Sequence, residues 1–183
     1  VRSATVLREH RRVRENYHMI DDEFQLPVLE ARWLADSSVA RERKRAFLLD
    51  ASDGEPRIRR MLRELALVSR MTAAYVANPV ATNLVSFVRR DSTHWSSASW
   101  RDSEDGYAGG RFAMDINAIW APHALAAIGT ILQTLPTIGI SVDSLARTLP
   151  ELAAGTPLGN YARNRSGLQR AVAAESDRIR DRA

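Results

Sequence analysis

The segment DINAIWAPHALAAIGTIL, residues 115–132, decides the fold, because it is apolar on nearly every face of a helix. Isoleucines, leucines and a tryptophan are spread around this helix, and alanines occupy most of the positions between them. A helix of this kind is buried on every side, so we expect it at the centre of a helical core. Pro122 lacks a backbone N–H and crowds the preceding turn, which predicts a kink or a restart of the helix there.

A second helix is predicted over about residues 56–77, where apolar side chains recur every three or four residues on one stripe. Pro56 suits a first helical turn, and Asn78-Pro79 ends the helix, because proline pushes the preceding residue out of the helical region. The stripe consists of Ile58, Met61, Leu62, Leu65, Val68, Met71 and Tyr75.

Weaker periodicity predicts further helices between turn-forming segments. The predicted ranges are 4–18, 26–34, 37–49, 141–152 and 166–179, with turns or loops over 50–54 and 155–159. Only residues 84–88 resemble a strand, and they could form half of a short hairpin near residues 84–95. The sequence therefore predicts an all-α fold in a single helical domain spanning residues 1–183.

Composition excludes several classes of function. The chain has no cysteine, so disulfides, thiolate metal sites and a cysteine nucleophile are ruled out. Its net charge is only +4, and the basic residues are interleaved with acids rather than clustered, so we expect no nucleic-acid partner. No signal-peptide pattern and no apolar run long enough to cross a bilayer are evident, so we expect no membrane partner.

A polar loop precedes the apolar helix and is the candidate functional site. It combines carboxylates, which can transfer protons, with aromatic faces that suit a sugar ring. Its chemistry-bearing residues are Trp95, Trp100, Asp102, Glu104, Asp105 and Tyr107. Asp102 is the strongest candidate acid, because a carboxyl group between Trp100 and an apolar helix can have a raised pKa. The alternative is that Asp102 caps a turn through its side chain.

Other polar residues near this loop have two possible roles each. Asp115 stands where the apolar helix begins, so it either caps the amides of Asn117 and Ala118 or contributes to the site. Asn117 and Arg111 could likewise point polar atoms into a site. The four histidines show no metal-ligand spacing, and the glycines match no nucleotide-binding fingerprint, so neither a metal nor a cofactor is expected.

The run Trp100-Arg101-Asp102-Ser103, followed by Gly109-Gly110-Arg111 and by the segments 114–118 and 122–125, resembles the catalytic-acid region of six-hairpin, (α/α)6-barrel glycosidases. The resemblance is closest to the amylo-alpha-1,6-glucosidase domains of glycogen debranching enzymes and their uncharacterised bacterial relatives. It is confined mainly to residues 95–128.

This resemblance implies a glycoside hydrolase with a carbohydrate substrate and with Asp102 as the general acid. It places Trp100 in the sugar subsite, and the other residues predicted to bind substrate are Arg101, Arg111, Asp115 and Asn117. A complete toroid needs twelve helices and this chain has room for about six or seven, so we expect a partial barrel from a larger catalytic domain. The family's base is a glutamate far downstream of the acid, and no later acid here lies in a matching motif. The alternatives are a non-catalytic carbohydrate-binding module and a helical interaction module.

Overall fold

The computed structural model describes residues 19–96 and 107–180, and this part of the chain is all-α with one short hairpin. The helices are α1 (Ile20–Ala35), α2 (Arg41–Leu49), α3 (Arg57–Ala77), α4 (Tyr107–Gly110), α5 (Ala121–Thr137), α6 (Val142–Ala146), α7 (Pro157–Arg163) and α8 (Arg165–Arg180). Single 3-10 turns cover Ala81–Asn83 and Pro150–Leu152. Strands β1 (Val88–Arg89) and β2 (Trp95–Ser96) pair antiparallel, so a short hairpin lies in the predicted region, but its first strand begins at Val88 and does not cover residues 84–88 as predicted.

The core forms around α5 and the turn before it. Helix α5 packs most extensively on α1 and α8 and also contacts α3. Its inward side chains, including Leu125, Ile128 and Ile131, are fully buried. Gly129 permits a close approach of α8, because a Cβ at that position would lie only 3.0 Å from Leu168 Cδ2.

Two expectations for this central helix need correction. It is not buried on every side, because one stripe at three- and four-residue intervals faces solvent: Ile119, His123, Ala126, Thr130, Gln133 and Thr137. The predicted irregularity at Pro122 takes the form of a π turn over Ile116–Trp120, after which α5 runs as a regular helix. The wider turn accommodates a proline that cannot donate to the helix and that crowds the turn before it.

The prediction that no apolar run is long enough to cross a bilayer was also wrong. The helical stretch Ile116–Thr137 is long and apolar enough to do so by length and composition alone. However, 56% of its most apolar window is buried inside the fold, and core helices of soluble proteins meet the same criterion. The apolar character of this helix is therefore accounted for by packing against α1 and α8.

Helix α3 follows the predicted range to within one residue, and the apolar stripe faces the core as expected. Helix α2 begins four residues later than predicted, and its Lys44 is buried rather than part of a charged outer face. The Lys44 ammonium group donates to the carbonyl oxygens of Leu34 (2.7 Å) and Asp36 (2.6 Å). Lys44 thus stabilises the C-terminus of α1, where carbonyl groups lack partners in the helix.

The single helix predicted over 141–152 is wrong. Helix α6 ends at Ala146, and Pro150 begins a separate 3-10 turn. The predicted loop over 155–159 instead contains the start of α7, where Thr156 Oγ1 accepts a hydrogen bond from the Gly159 amide (3.1 Å). Gly159 fits because a Cβ there would collide with the Ala153 carbonyl oxygen.

The burial of α5 predicts a strong contrast between two substitutions on the same helix. Ile128→Asp places a carboxylate among apolar side chains and is expected to cost several kcal/mol or to prevent folding. Gln133→Asp, on the exposed stripe, is expected to cost less than about 1 kcal/mol. Urea unfolding of both variants tests this, and equal losses of stability would contradict the assignment of the two faces.

Candidate functional site

The polar loop leaves the fold from a hydrogen-bonded base formed by residues 85–87 and 111–113. The Phe87 amide donates to the Arg111 carbonyl oxygen (2.9 Å), and the Ala113 amide donates to the Val85 carbonyl oxygen (3.4 Å). These two segments run antiparallel around a bridge between Ser86 and Phe112. The chain therefore leaves the helical core after residue 87 and returns to it at residue 111, at the same place.

Asn117 locks this base to the start of the central helix. Its Oδ1 accepts from the Val85 amide (2.8 Å), and its Nδ2 donates to the carbonyl oxygens of Val85 (2.7 Å) and Ala113 (2.8 Å). The side chain is 4% exposed. The structure thus places Asn117 beneath the loop, where its amide holds backbone groups together.

Arg111 connects the base to the hairpin. Its guanidinium carbon lies 5.6 Å from the centroid of the Trp95 ring and 4.7 Å from that of Phe112. The contact with Trp95 joins the hairpin to the segment that follows the loop, because Trp95 lies in β2 and Arg111 lies in the base. Arg111 is half-buried, so part of it remains in contact with solvent.

The proposed acid and two of the predicted binding residues lie in the loop itself. Trp100, Arg101 and Asp102 fall outside the described residues. The described chain reaches both ends of their segment, at Ser96 in β2 and at Tyr107 in α4, and α4 contacts β2. The motif is therefore carried on a short segment whose two ends are held close together.

Asp115 forms a buried pair with Asp21 of α1. Asp115 is 9% exposed and Asp21 is 6% exposed, and the two carboxyl groups lie within hydrogen-bonding reach of each other. Burial and the neighbouring Asp21 carboxyl raise the pKa of Asp115 above its ordinary value. Two carboxyl groups in such contact favour a shared proton, because both cannot ionise without repulsion.

Asp115 does not cap the amides predicted for it. Its Oδ1 accepts from the Ile116 amide (3.1 Å), while the Asn117 amide donates to the Ala113 carbonyl oxygen (3.0 Å). Its backbone is already helical, so it lies inside the first turn and not before it. One carboxylate oxygen of Asp21, Oδ2, is buried without a hydrogen-bond partner among the described residues.

Asp21 was not among the residues predicted for the site. The predicted helix began at residue 26, whereas α1 begins at Ile20. The buried positions Ile20, Phe24, Pro27, Ala31 and Leu34 form a stripe, and Asp21 lies beside its first member. Acids beside an apolar stripe are usually exposed, as Asp22 is, so this pattern did not indicate that Asp21 is buried.

The histidines of the described chain form no metal site. His94 packs in the turn of the hairpin, where its Nδ1 lies 2.9 Å from Asp91 Oδ1. His123 is exposed on α5. No group of three acidic or histidine side chains within residues 19–96 and 107–180 could surround a metal ion.

A groove of about 780 Å³ lies apart from the loop base, between α5 and α8. Its lining includes Leu125, Gly129, Tyr161, Arg165 and Leu168. None of the residues predicted for the functional site lines it. The groove therefore adds nothing to the chemistry of the loop.

Comparison of the chain with family models, with curated proteins and with solved structures finds no match. Its function is therefore inferred from its own residues and geometry.

Replacing Asn117 is expected to loosen the base of the loop. Asn117→Ala removes three buried hydrogen bonds and leaves the backbone polar groups of Val85 without these partners. The loss should lower the unfolding free energy by about 2–4 kcal/mol. Limited proteolysis should then cut more rapidly within residues 88–110. The control is Asn160→Ala, which removes one exposed 3.3 Å hydrogen bond. Equal stability and equal cleavage in the two variants would contradict this role.

The Asp21–Asp115 pair predicts a pH dependence of stability. A carboxyl group whose pKa is raised on folding stabilises the fold at low pH, and this contribution is lost as the pH rises from about 3.8 through the raised pKa. Asp115→Asn should therefore gain stability relative to the unsubstituted protein between pH 4 and pH 8. Urea unfolding across this range tests the effect. Asp22→Asn, on the exposed side of α1, should show no such gain, and an identical profile for both variants would refute the buried pair.

Proposed function

We propose that this chain is part of a glycoside hydrolase of the six-hairpin, (α/α)6-barrel type, with Asp102 as the general acid. The observation that carries the proposal is the hydrogen-bonded base of residues 85–87 and 111–113, which holds together the two ends of the segment bearing the Trp100–Ser103 motif. A catalytic acid has to be held in a fixed geometry against its substrate. A loop anchored at both ends on a buried helix supplies such a support.

The reaction assigned to this loop is protonation of the leaving glycosidic oxygen by Asp102. A second carboxylate has to act on the opposite face of the sugar, at about 6.5–9.5 Å in an inverting enzyme. No acid after the loop lies in the motif that carries this base in the resembling family. We therefore propose that these helices form one part of a toroid and that the base belongs to another part of the catalytic domain.

The residues around the loop suit a carbohydrate. Trp100 and Trp95 offer flat faces on which a sugar ring can stack, and Arg101 and Arg111 offer donors to its hydroxyl groups. Asp115 is buried against Asp21, and its raised pKa favours its protonated form. Asn117 supports the site through its backbone contacts rather than through substrate.

The test is hydrolysis of α-glucan oligosaccharides by the protein expressed from its entire reading frame. Asp102→Asn should lower turnover about 10²–10⁴-fold, because it removes the proton donor and retains the shape of the side chain. Asp105→Asn, three residues away in the same loop, is the matched control and should retain activity. The isolated 183 residues should be inactive because they lack the base.

Unchanged turnover in Asp102→Asn would refute the assignment of the acid, and rapid turnover by the isolated chain would refute the location of the base. Saturable oligosaccharide binding without turnover in the entire protein would favour the carbohydrate-binding module. The absence of both oligosaccharide binding and turnover would favour the helical interaction module.

A further inference from the structure

A cavity of about 330 Å³ opens between α1, α2 and α3, away from the loop base. Its walls are apolar and aromatic: Leu26, Trp33, Leu34, Phe47, Leu48 and Met61. Trp33 and Phe47 meet edge to face, with their ring centroids 5.1 Å apart. Leu26 is 42% exposed and Phe47 is 48% exposed, so both walls extend to solvent. The volume falls in the range of small-ligand sites.

Two glutamates line this cavity with acceptor atoms that the described residues do not use. Glu30 of α1 and Glu64 of α3 each have one carboxylate oxygen, Oε2 and Oε1 respectively, that is buried without a hydrogen-bond partner in the described part of the chain. Burial raises the pKa of Glu30 to about 7. Burial, and then contact with the Glu23 carboxyl, raises the pKa of Glu64 to about 8. Buried acceptors without donors are costly, and native proteins contain few of them.

The two arginines that line the cavity, Arg57 and Arg60, are paired with acids that do not line it. Arg57 pairs with Asp50 and lies 3.7 Å from an Asp53 oxygen, and its guanidinium stacks on Phe47 at 4.7 Å. Arg60 lies 3.8 Å from Asp53 and 3.6 Å from Glu55. In the described part of the chain no salt bridge reaches Glu23, Glu30 or Glu64. Among the described residues, the glutamates of the cavity therefore have no ion-pair partner.

The geometry favours an organic cation over a bare metal ion. Within the described residues, no three acidic or histidine side chains come close enough to surround a single ion. A primary ammonium group carries three N–H donors, and it can satisfy acceptors on two different helices. The apolar and aromatic walls require that the rest of the ligand be hydrocarbon.

We infer that the cavity between α1, α2 and α3 binds a small primary amine in its ammonium form, with the charged group on Glu30 and Glu64 and an apolar or aromatic body against Trp33 and Leu26. This inference does not depend on the proposed glycosidase activity. The cation favours ionised glutamates, so binding near pH 7.5 should release protons.

The probe for this site is 2-phenylethylammonium chloride, and 2-phenylethanol is its uncharged counterpart. Titration calorimetry of the 183-residue chain at pH 7.5, in two buffers of different ionisation enthalpy, measures both affinity and proton release. We expect saturable binding of the amine, affinity for the alcohol at least about tenfold weaker, and net proton release with the amine only.

Three variants separate a ligand site from a structural cluster. Glu30→Gln and Glu64→Gln should each weaken amine binding at least about tenfold, because the amide cannot pair with the cation. Both should remain folded, because each removes a buried carboxyl without changing its shape. Glu42 is exposed on α2, so the Glu42→Gln variant should bind the amine with the same affinity as the unsubstituted chain.

Four outcomes would overturn the inference. The first two are no saturable binding of the amine and an affinity for the alcohol equal to that for the amine. The other two are an affinity for the amine in Glu30→Gln and Glu64→Gln equal to that of the unsubstituted chain, and a binding heat from ammonium chloride alone equal to that from the amine. The last would show a response to charge without the apolar body.

Discussion

Burial of the stretch Ile116–Thr137 is the constraint on which the rest of this structure depends. No other described segment offers as continuous an apolar surface, and α1 and α8 cover it from two sides while α3 contacts it as well. The π turn at its start lets the helix pass Pro122 without ending. The π turn also fixes the positions of Asp115 and Asn117 at the start of the helix. The packing that forms the core therefore also determines the position of the base of the polar loop.

The buried carboxyl groups stabilise the fold less than apolar residues of the same size would. Asp21, Glu30 and Glu64 each bury an oxygen that makes no hydrogen bond in the described chain, and desolvation raises the pKa of both glutamates. Groups that oppose folding in this way are concentrated at functional sites in many proteins. Lys44 shows the contrast, because its buried ammonium group is satisfied by two carbonyl oxygens and serves the end of α1.

Periodicity predicted the parts of the fold in which packing alone determines the residue type. The stripe of α3 is regular because each of its members faces the core, so its bounds could be predicted closely. The start of α1 could not, because Asp21, Asp22 and Glu23 interrupt the apolar pattern while favouring a helix N-terminus. The exposed stripe of the central helix contains four polar residues at helical spacing, His123, Thr130, Gln133 and Thr137, but Ile119 and Ala126 belong to it as well, so it was not distinguished from the buried faces. Asn117 was predicted to point polar atoms into a site, but its three backbone partners depend on the ladder at Val85, which is remote in sequence, so its buried structural role could not be predicted.

The two acidic sites of α1 lie on different sides of one helix. Asp21 and Glu23 are two residues apart, which is a rotation of roughly 200° about the helix axis. Asp21 accordingly meets Asp115 at the start of the central helix, while Glu23 meets Glu64 on α3. Glu30, seven residues after Glu23 and therefore two turns along, stays on the side of Glu23 and faces the cavity. The helix thus separates a proton-sharing pair below the loop from an acid-lined cavity, and a ligand in the cavity can satisfy Glu30 and Glu64 without contacting Asp115.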